Sequence, residues 1–257
     1  MYNGQPSIFR NIPPVVLNLL ILNTLIFGVM ALSSQANAIF TRHLALYYFT
    51  SPDFRPFQLI SYMFLHGSFG HLFFNMFALF IFGRTIERTM GSARFLFYYM
   101  TCGICAALVQ LGVFAVLINH TESLIGNPEL CRHIIENHGY VDFSQFDQRL
   151  VTSLLPELRE LYGLVNTPLV GASGAIYGVL LAFGFLYPNV PVYIFFIPIP
   201  VKAKWLIIGY FVLELVYGVG GTADGVAHFA HLGGMIFGFL LLIYWKRKGV
   251  FNNHWFF

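Results

Sequence analysis

A chain of 257 residues that is 57% hydrophobic and only 10% charged, with a mean hydropathy of +0.69, cannot clothe itself in a water-facing surface, which takes roughly 25–35% charged residues. That excludes a soluble domain, and apolar runs of about 20 residues place the chain among polytopic membrane proteins. The net charge of +3 is small and dispersed and points to no nucleic-acid partner, and three scattered cysteines are too few for a disulfide framework.

Six apolar segments follow in chain order. The first, about Val15–Leu32, is entered through Pro13-Pro14. Arg10, this run and Ala36-Asn37-Ala38 imitate a secretory signal, but the run exceeds a signal core of about 7–15 residues, so a retained helix is expected. The second covers about His71–Phe82, with an apolar lead-in at Leu59–Leu65, and the third about Phe95–Ile118. Cys102 and Cys105 lie within the third, where small-residue packing is a better account of the pair than redox chemistry. A polar stretch at about 119–168 interrupts the series. Its apolar spacing at Phe146, Leu150, Leu154 and Leu158 reads as a helix on the outer membrane surface, interrupted at Pro156. The fourth segment is about Leu169–Tyr187 and the fifth about Trp205–Tyr217, short unless Val192–Val201 contributes; the sixth is about Val226–Trp245. No internal repeat of the kind that marks duplicated transporters stands out.

Basic residues fix an expected orientation. Arg10, Arg84, Arg88, Arg94, Lys202, Lys204 and Lys246-Arg247-Lys248 all fall on one side, while the loop after the first segment has only Arg42 and Arg55, the loop before the sixth has none, and the 119–168 stretch has Arg132, Arg149 and Arg159. The 119–168 stretch is rich in Glu and Asp. Six spans with both termini in the cytoplasm satisfy this pattern, with the 119–168 insertion facing outward.

Polar side chains within a bilayer are costly and need an account. Gly171-Ala172-Ser173-Gly174 opens the fourth segment, followed by Tyr177 one turn on. Packing alone would explain Gly174 and Gly178 as a G-x-x-x-G; a nucleophile with little steric cover is the functional alternative. His228 and His231 stand one turn apart at the start of the sixth segment, which carries a second G-x-x-x-G at Gly234 and Gly238. A neutral histidine is the usual base for serine. Ser173 and His231 each fall five residues into their segments, about 8 Å down, so the two are expected at equal depth. His71 and Asn75 share one face near the outer end of the second segment, and their N–H groups suit a developing oxyanion; an interfacial polar patch is the plainer alternative. His66 is read as structural, and Glu87 among Arg84 and Arg88 as structural ion pairing. Glu214 lies within the fifth segment and Asp224 before the sixth; neither is placed to orient a base, so a serine–histidine dyad is the simpler reading.

These motifs together resemble the rhomboid family of intramembrane proteases, over about Arg55 to Gly238. The resemblance rests on Gly171-Ala172-Ser173-Gly174, on a His followed by glycines at the third and seventh positions (His231, Gly234, Gly238), and on His71-x-x-x-Asn75. That spacing selects His231 over His228. The resemblance implies an all-α bundle of six transmembrane helices forming one membrane domain (core about 55–245) with the insertion at about 119–168. It further implies Ser173 as nucleophile, His231 as base and Tyr177 packed on the imidazole. An oxyanion site of the Ser173 N–H with Asn75 and His71 is implied too. Substrates would be transmembrane proteins cut in or near the bilayer, with no metal or organic cofactor. Phe54-Arg55 stands where the family often has Trp-Arg, a mild departure in a structural element, and the long insertion is a larger one. Two other functions compete: a non-catalytic relative that binds transmembrane segments, and a six-span carrier relaying protons through His228, His231 and Glu214. Compact size and the lack of organelle signals point to a bacterial cytoplasmic membrane, with the active site toward the outer face. Oligomeric state is not legible.

Overall fold

A computed structural model describes residues 12–142, 144–193, 199–221 and 226–251. Arg10, Asp224 and part of the Val192–Val201 run lie outside these residues.

The protein is an all-α polytopic membrane protein with, among the described residues, one short two-stranded pairing. Helix α1 (Pro14–Leu32) starts at a proline, whose missing N–H costs nothing there. Its free N–H groups at Val15 and Val16 are capped by the buried carboxylate of Glu87 at 3.0 and 2.8 Å, which also accepts from the Ser92 hydroxyl at 2.7 Å. Glu87 is therefore structural as expected, but as a cap for a distant helix. The Ala36–Ala38 tripeptide lies inside a further helix, α2 (Ser34–Leu44), which the hydropathy pattern does not reveal.

The second segment is built in pieces: a short helix α3 (Gln58–Ser61) and 3₁₀ turn (Tyr62–Phe64), then α4 (Phe69–Ala78), a π-helical turn (Leu79–Gly83) and α5 (Arg84–Met90). Helix α6 (Ser92–Ile125) is the longest, at 34 residues. It buries Phe95, Tyr98, Tyr99, Cys102, Gly103, Ala106, Ala107, Gln110 and Leu111, one stripe at helical period that narrows from aromatic to small. Cys102 packs against Gly178 and Gly238, as small-residue packing requires.

The 119–168 stretch is mostly helical. Gly126 ends α6 in the left-handed conformation (φ 63°), Asn127 caps α7 (Pro128–Glu136) and Asp147 caps α8 (Gln148–Ser153). The chain breaks at Leu154, and α9 (Leu155–Asn166) carries Pro156 in its first turn, so the expected interruption is there. Leu130, Ile134, Val151, Leu158, Leu161 and Val165 form a second core of their own beside the end of α6.

Helix α10 (Ser173–Leu186) has only 14 residues and is almost wholly buried. It begins at Ser173, four residues later than the hydropathy pattern suggests. The Val192–Val201 run does not extend the fifth segment. Strands β1 (Pro191–Tyr193) and β2 (Pro200–Lys202) pair antiparallel, and α11 (Ala203–Gly220) is long enough without it. Helix α12 (His228–Arg247) closes the bundle. Among the described residues, five helical stretches have the length and hydropathy to cross a membrane, with α10 as a shorter sixth. Helices α6, α10 and α12 form the tight centre, with α11 on one flank and α4 on the other.

Candidate active site

Ser173 is held by a chain of backbone restraints. Leu169 bridges to Leu46 through paired hydrogen bonds of 3.0 and 2.8 Å, and the Gly171 N–H donates to the Tyr62 carbonyl at 2.9 Å. Gly171 has φ 128°, a conformation other residues rarely adopt, and a side chain there would meet the His71 ring at 2.7 Å. The turn therefore needs glycine twice over. Ser173 follows as the first residue of α10, with its N–H among the unpaired donors of a helix start.

His231 is the fourth residue of α12. The equal-depth expectation is thus wrong in its registers, first against fourth residue, because an extended stretch rather than helix precedes Ser173. The pair nevertheless meets: His231 Nε2 lies 2.8 Å from Ser173 Oγ. What allows it is backbone contact between the helices. A Cβ on Gly234 would fall on the carbonyl oxygen of Gly174, and one on Gly174 would strike Ala106. Gly178 and Gly238 are blocked in the same way by Cys102 and Tyr98 at 2.5 Å each. The Tyr98 hydroxyl donates to the Gly178 carbonyl at 2.8 Å, and the Ala230 N–H donates to Gln110 at 3.2 Å, fixing the start of α12.

Tyr177 stacks on the His231 imidazole, with ring centres 4.2 Å apart and planes within 10°. Its hydroxyl donates to Glu214 Oε1 on α11. His228 Nδ1 lies 2.6 Å from Glu214 Oε2, and His231 Nδ1 lies 3.1 Å from the same oxygen. All three side chains are buried. The expectation that no acid stands beside the base is not met. His231 Nδ1 has no hydrogen-bond partner among the described residues, so the 3.1 Å contact is close without being a formed hydrogen bond. Sequence separations of 14 and 17 residues across a turn gave no hint of the contact. The one available signal was the cost of a carboxylate on a membrane helix, which demands polar partners on a neighbouring helix. Among the described residues, Glu214, His228 and His231 are also the group whose ligand atoms, all within 4.8 Å, have metal-binding proximity. Separations of 2.6 and 3.1 Å are hydrogen-bond distances, however, and the second nitrogen of His231 is engaged by Ser173.

On α4, Ser68 caps the helix by accepting from the His71 N–H at 3.1 Å, and the His71 ring packs beside Gly171. Asn75, one turn deeper, is buried with its Nδ2 unpartnered among the described residues. An amide donor left without an acceptor is what a site awaiting an oxyanion would hold. His66 is buried edge-on to the His71 ring at 5.0 Å. Arg55 folds back onto the carbonyls of Pro52 and Phe54 at 3.0 and 2.6 Å, a structural use that suits its place in the loop. Beside Asn75 and Tyr177 a cavity of about 970 Å³, mainly apolar, opens between α4 and α11, walled by Phe74, Phe77, Leu206 and Tyr210.

Comparison with known proteins bears on this geometry. A family model described as the Rhomboid domain matches residues 53–126 and 142–248, leaving out residues 127–141 within the insertion. The chain is 27% identical to Rhomboid protein 1, mitochondrial, of Saccharomyces cerevisiae over 93% of its own length and 58% of that protein's. It is 28% identical to RHOMBOID-like protein 12, mitochondrial, of Arabidopsis thaliana, covering 93% of this chain and 60% of the relative. Rhomboid protease GlpG of Haemophilus influenzae is 27% identical over 66% of this chain and 89% of its own. The chain thus spans less than two thirds of the two mitochondrial relatives.

Proposed function

The chain belongs to the rhomboid family, and from that premise we propose that it is an intramembrane serine endopeptidase acting on transmembrane protein substrates. The observation that carries the reading is the 2.8 Å contact between Ser173 Oγ and His231 Nε2 within a membrane bundle. In this reading Ser173 attacks the scissile carbonyl while His231 takes its proton and later delivers it to the leaving amine. The oxyanion is met by the Ser173 N–H, Asn75 and His71, and Tyr177 keeps the imidazole in plane. Gly171, Gly174, Gly234 and Gly238 make the approach possible. Access for a substrate segment is through the apolar cavity between α4 and α11, whose walls match a transmembrane helix in chemistry.

Orientation and compartment are part of the proposal. The Arg84–Arg94 group, Lys202, Lys204 and Lys246–Lys248 follow the helix ends remote from Ser173 and His231, which supports a cytoplasmic placement of that end; a bacterial cytoplasmic membrane is the compartment proposed. Two relatives are named mitochondrial, so localisation of the tagged chain decides the compartment.

The test uses the purified chain in liposomes with a model single-span substrate. Wild type cleaves, Ser173→Ala and His231→Ala do not, and a fluorophosphonate labels Ser173 only when His231 is present. Cleavage surviving either substitution sinks the reading. Wild type that binds the substrate without cutting it favours the non-catalytic binder instead.

A further inference from the structure

A carboxylate buried among membrane helices is retained only where donors surround it, and Glu214 has an unusual set. The Tyr177 hydroxyl holds Oε1, while His228 and His231 both approach Oε2. Two of these three partners already belong to the reacting constellation: Tyr177 is the ring stacked on His231, and His231 contacts Ser173. The carboxylate, the imidazole and the hydroxyl therefore form one line across α11, α12 and α10.

We propose that Glu214 is a positioning residue for His231, held in place by His228 and Tyr177, so that the serine–histidine pair works with a third, acidic member. The inference rests on the protease reading. To accept the serine proton, Nε2 must be bare, which puts the imidazole proton on Nδ1. That Nδ1 is buried, has no hydrogen-bond partner among the described residues, and lies 3.1 Å from Glu214 Oε2. Catalytic hydrogen bonds are often poorly aligned before substrate binds. As Ser173 Oγ bonds to the carbonyl carbon, its proton passes to Nε2 and the imidazolium gains the carboxylate as its nearest counter-charge. As the C–N bond breaks, the same proton goes to the departing nitrogen, and Glu214 takes up none. His228, one turn earlier and 2.6 Å from the shared oxygen, keeps the carboxylate at this height while His231 cycles.

Kinetics of the full chain in liposomes separate a positioning role from a merely structural one. Glu214→Gln is expected to lower kcat by about 10- to 1,000-fold with KM within about twofold, and to slow fluorophosphonate labelling of Ser173 in proportion. Glu214→Asp, which keeps the charge, restores at least about tenfold of that loss. A Gln variant with wild-type kcat and labelling rate overturns the inference while Ser173→Ala stays inactive, leaving the protease reading intact. Cleavage by Ser173→Ala overturns the reading itself. If Glu214→Gln does not fold, Tyr177→Phe, which keeps the ring stacked on His231 and releases Oε1 of the carboxylate, carries the test: an unchanged kcat and labelling rate overturns the proposal, and a kcat loss at constant KM supports it.

Discussion

Helices α11 and α12 both deliver a polar group to the same point, yet they are held very differently. In its most apolar stretch α12 buries 56% of its residues, against 17% for α11. The first is locked by glycine contacts in which backbone meets backbone; the second shows Val212, Leu213, Val216 and Val219 to its surroundings and walls the apolar cavity with Leu206 and Tyr210. Ser173 and His231 thus lie on the rigid side, and Glu214 on a helix with few packing restraints. The lesson is that geometry needing sub-ångström constancy is built where side chains are absent, and adaptability where side chains face lipid.

Substitutions can break that contrast. Gly234→Val has the largest expected effect: its Cβ would coincide with the Gly174 carbonyl, so a loss of about 3 kcal/mol or more and of all cleavage is expected, read by thermal unfolding in detergent. Asn75→Ala, on the flank facing the cavity, should leave unfolding nearly unchanged while kcat falls by about 100-fold, the usual cost of losing one oxyanion donor, which is the role proposed for Asn75. Tyr177→Phe keeps the stacked ring but cuts the hydroxyl tie between α10 and α11; about a tenfold loss of kcat is expected, and none would mean that the two sides work independently. Val216→Ala on the exposed face of α11 should shift stability by no more than about 0.5 kcal/mol, and a larger change would show α11 to be packed more firmly than its exposure suggests.

The site was legible in the sequence to unequal degrees. Ser173, His231, His71 and Asn75 could be named because each sits in a short-range pattern of glycine or helical spacing. The depth match that joined the first two was right in outcome and wrong in register, since hydropathy does not distinguish an extended apolar stretch such as Leu169–Val170 from the first turn of a helix. Glu214 was visible only as an unexplained charge, because its partners lie on other helices and the crossing of α11 over α12 leaves no periodic trace. The insertion was expected to face outward, with helical spacing only at Phe146–Leu158; α7 and the second core depend on caps such as Asn127 and Asp147, signals too local to predict how α7 and α9 would pack together.

The brevity of α10 has a consequence for the lipid. Fourteen residues rise about 21 Å, against a hydrocarbon core of about 30 Å, so the central helix stops some 9 Å short of spanning it. Because the helix starts at Ser173, the whole shortfall falls on that residue's side if the far end reaches the opposite interface. On that side the remaining depth is taken up by the apolar turn Leu169–Ala172 and by the first turns of α4 and α12, which carry His71 and His231. On the proposed protease reading, hydrophobic mismatch becomes a control on access to Ser173: a thicker bilayer sinks it deeper and a thinner one brings it toward the surface.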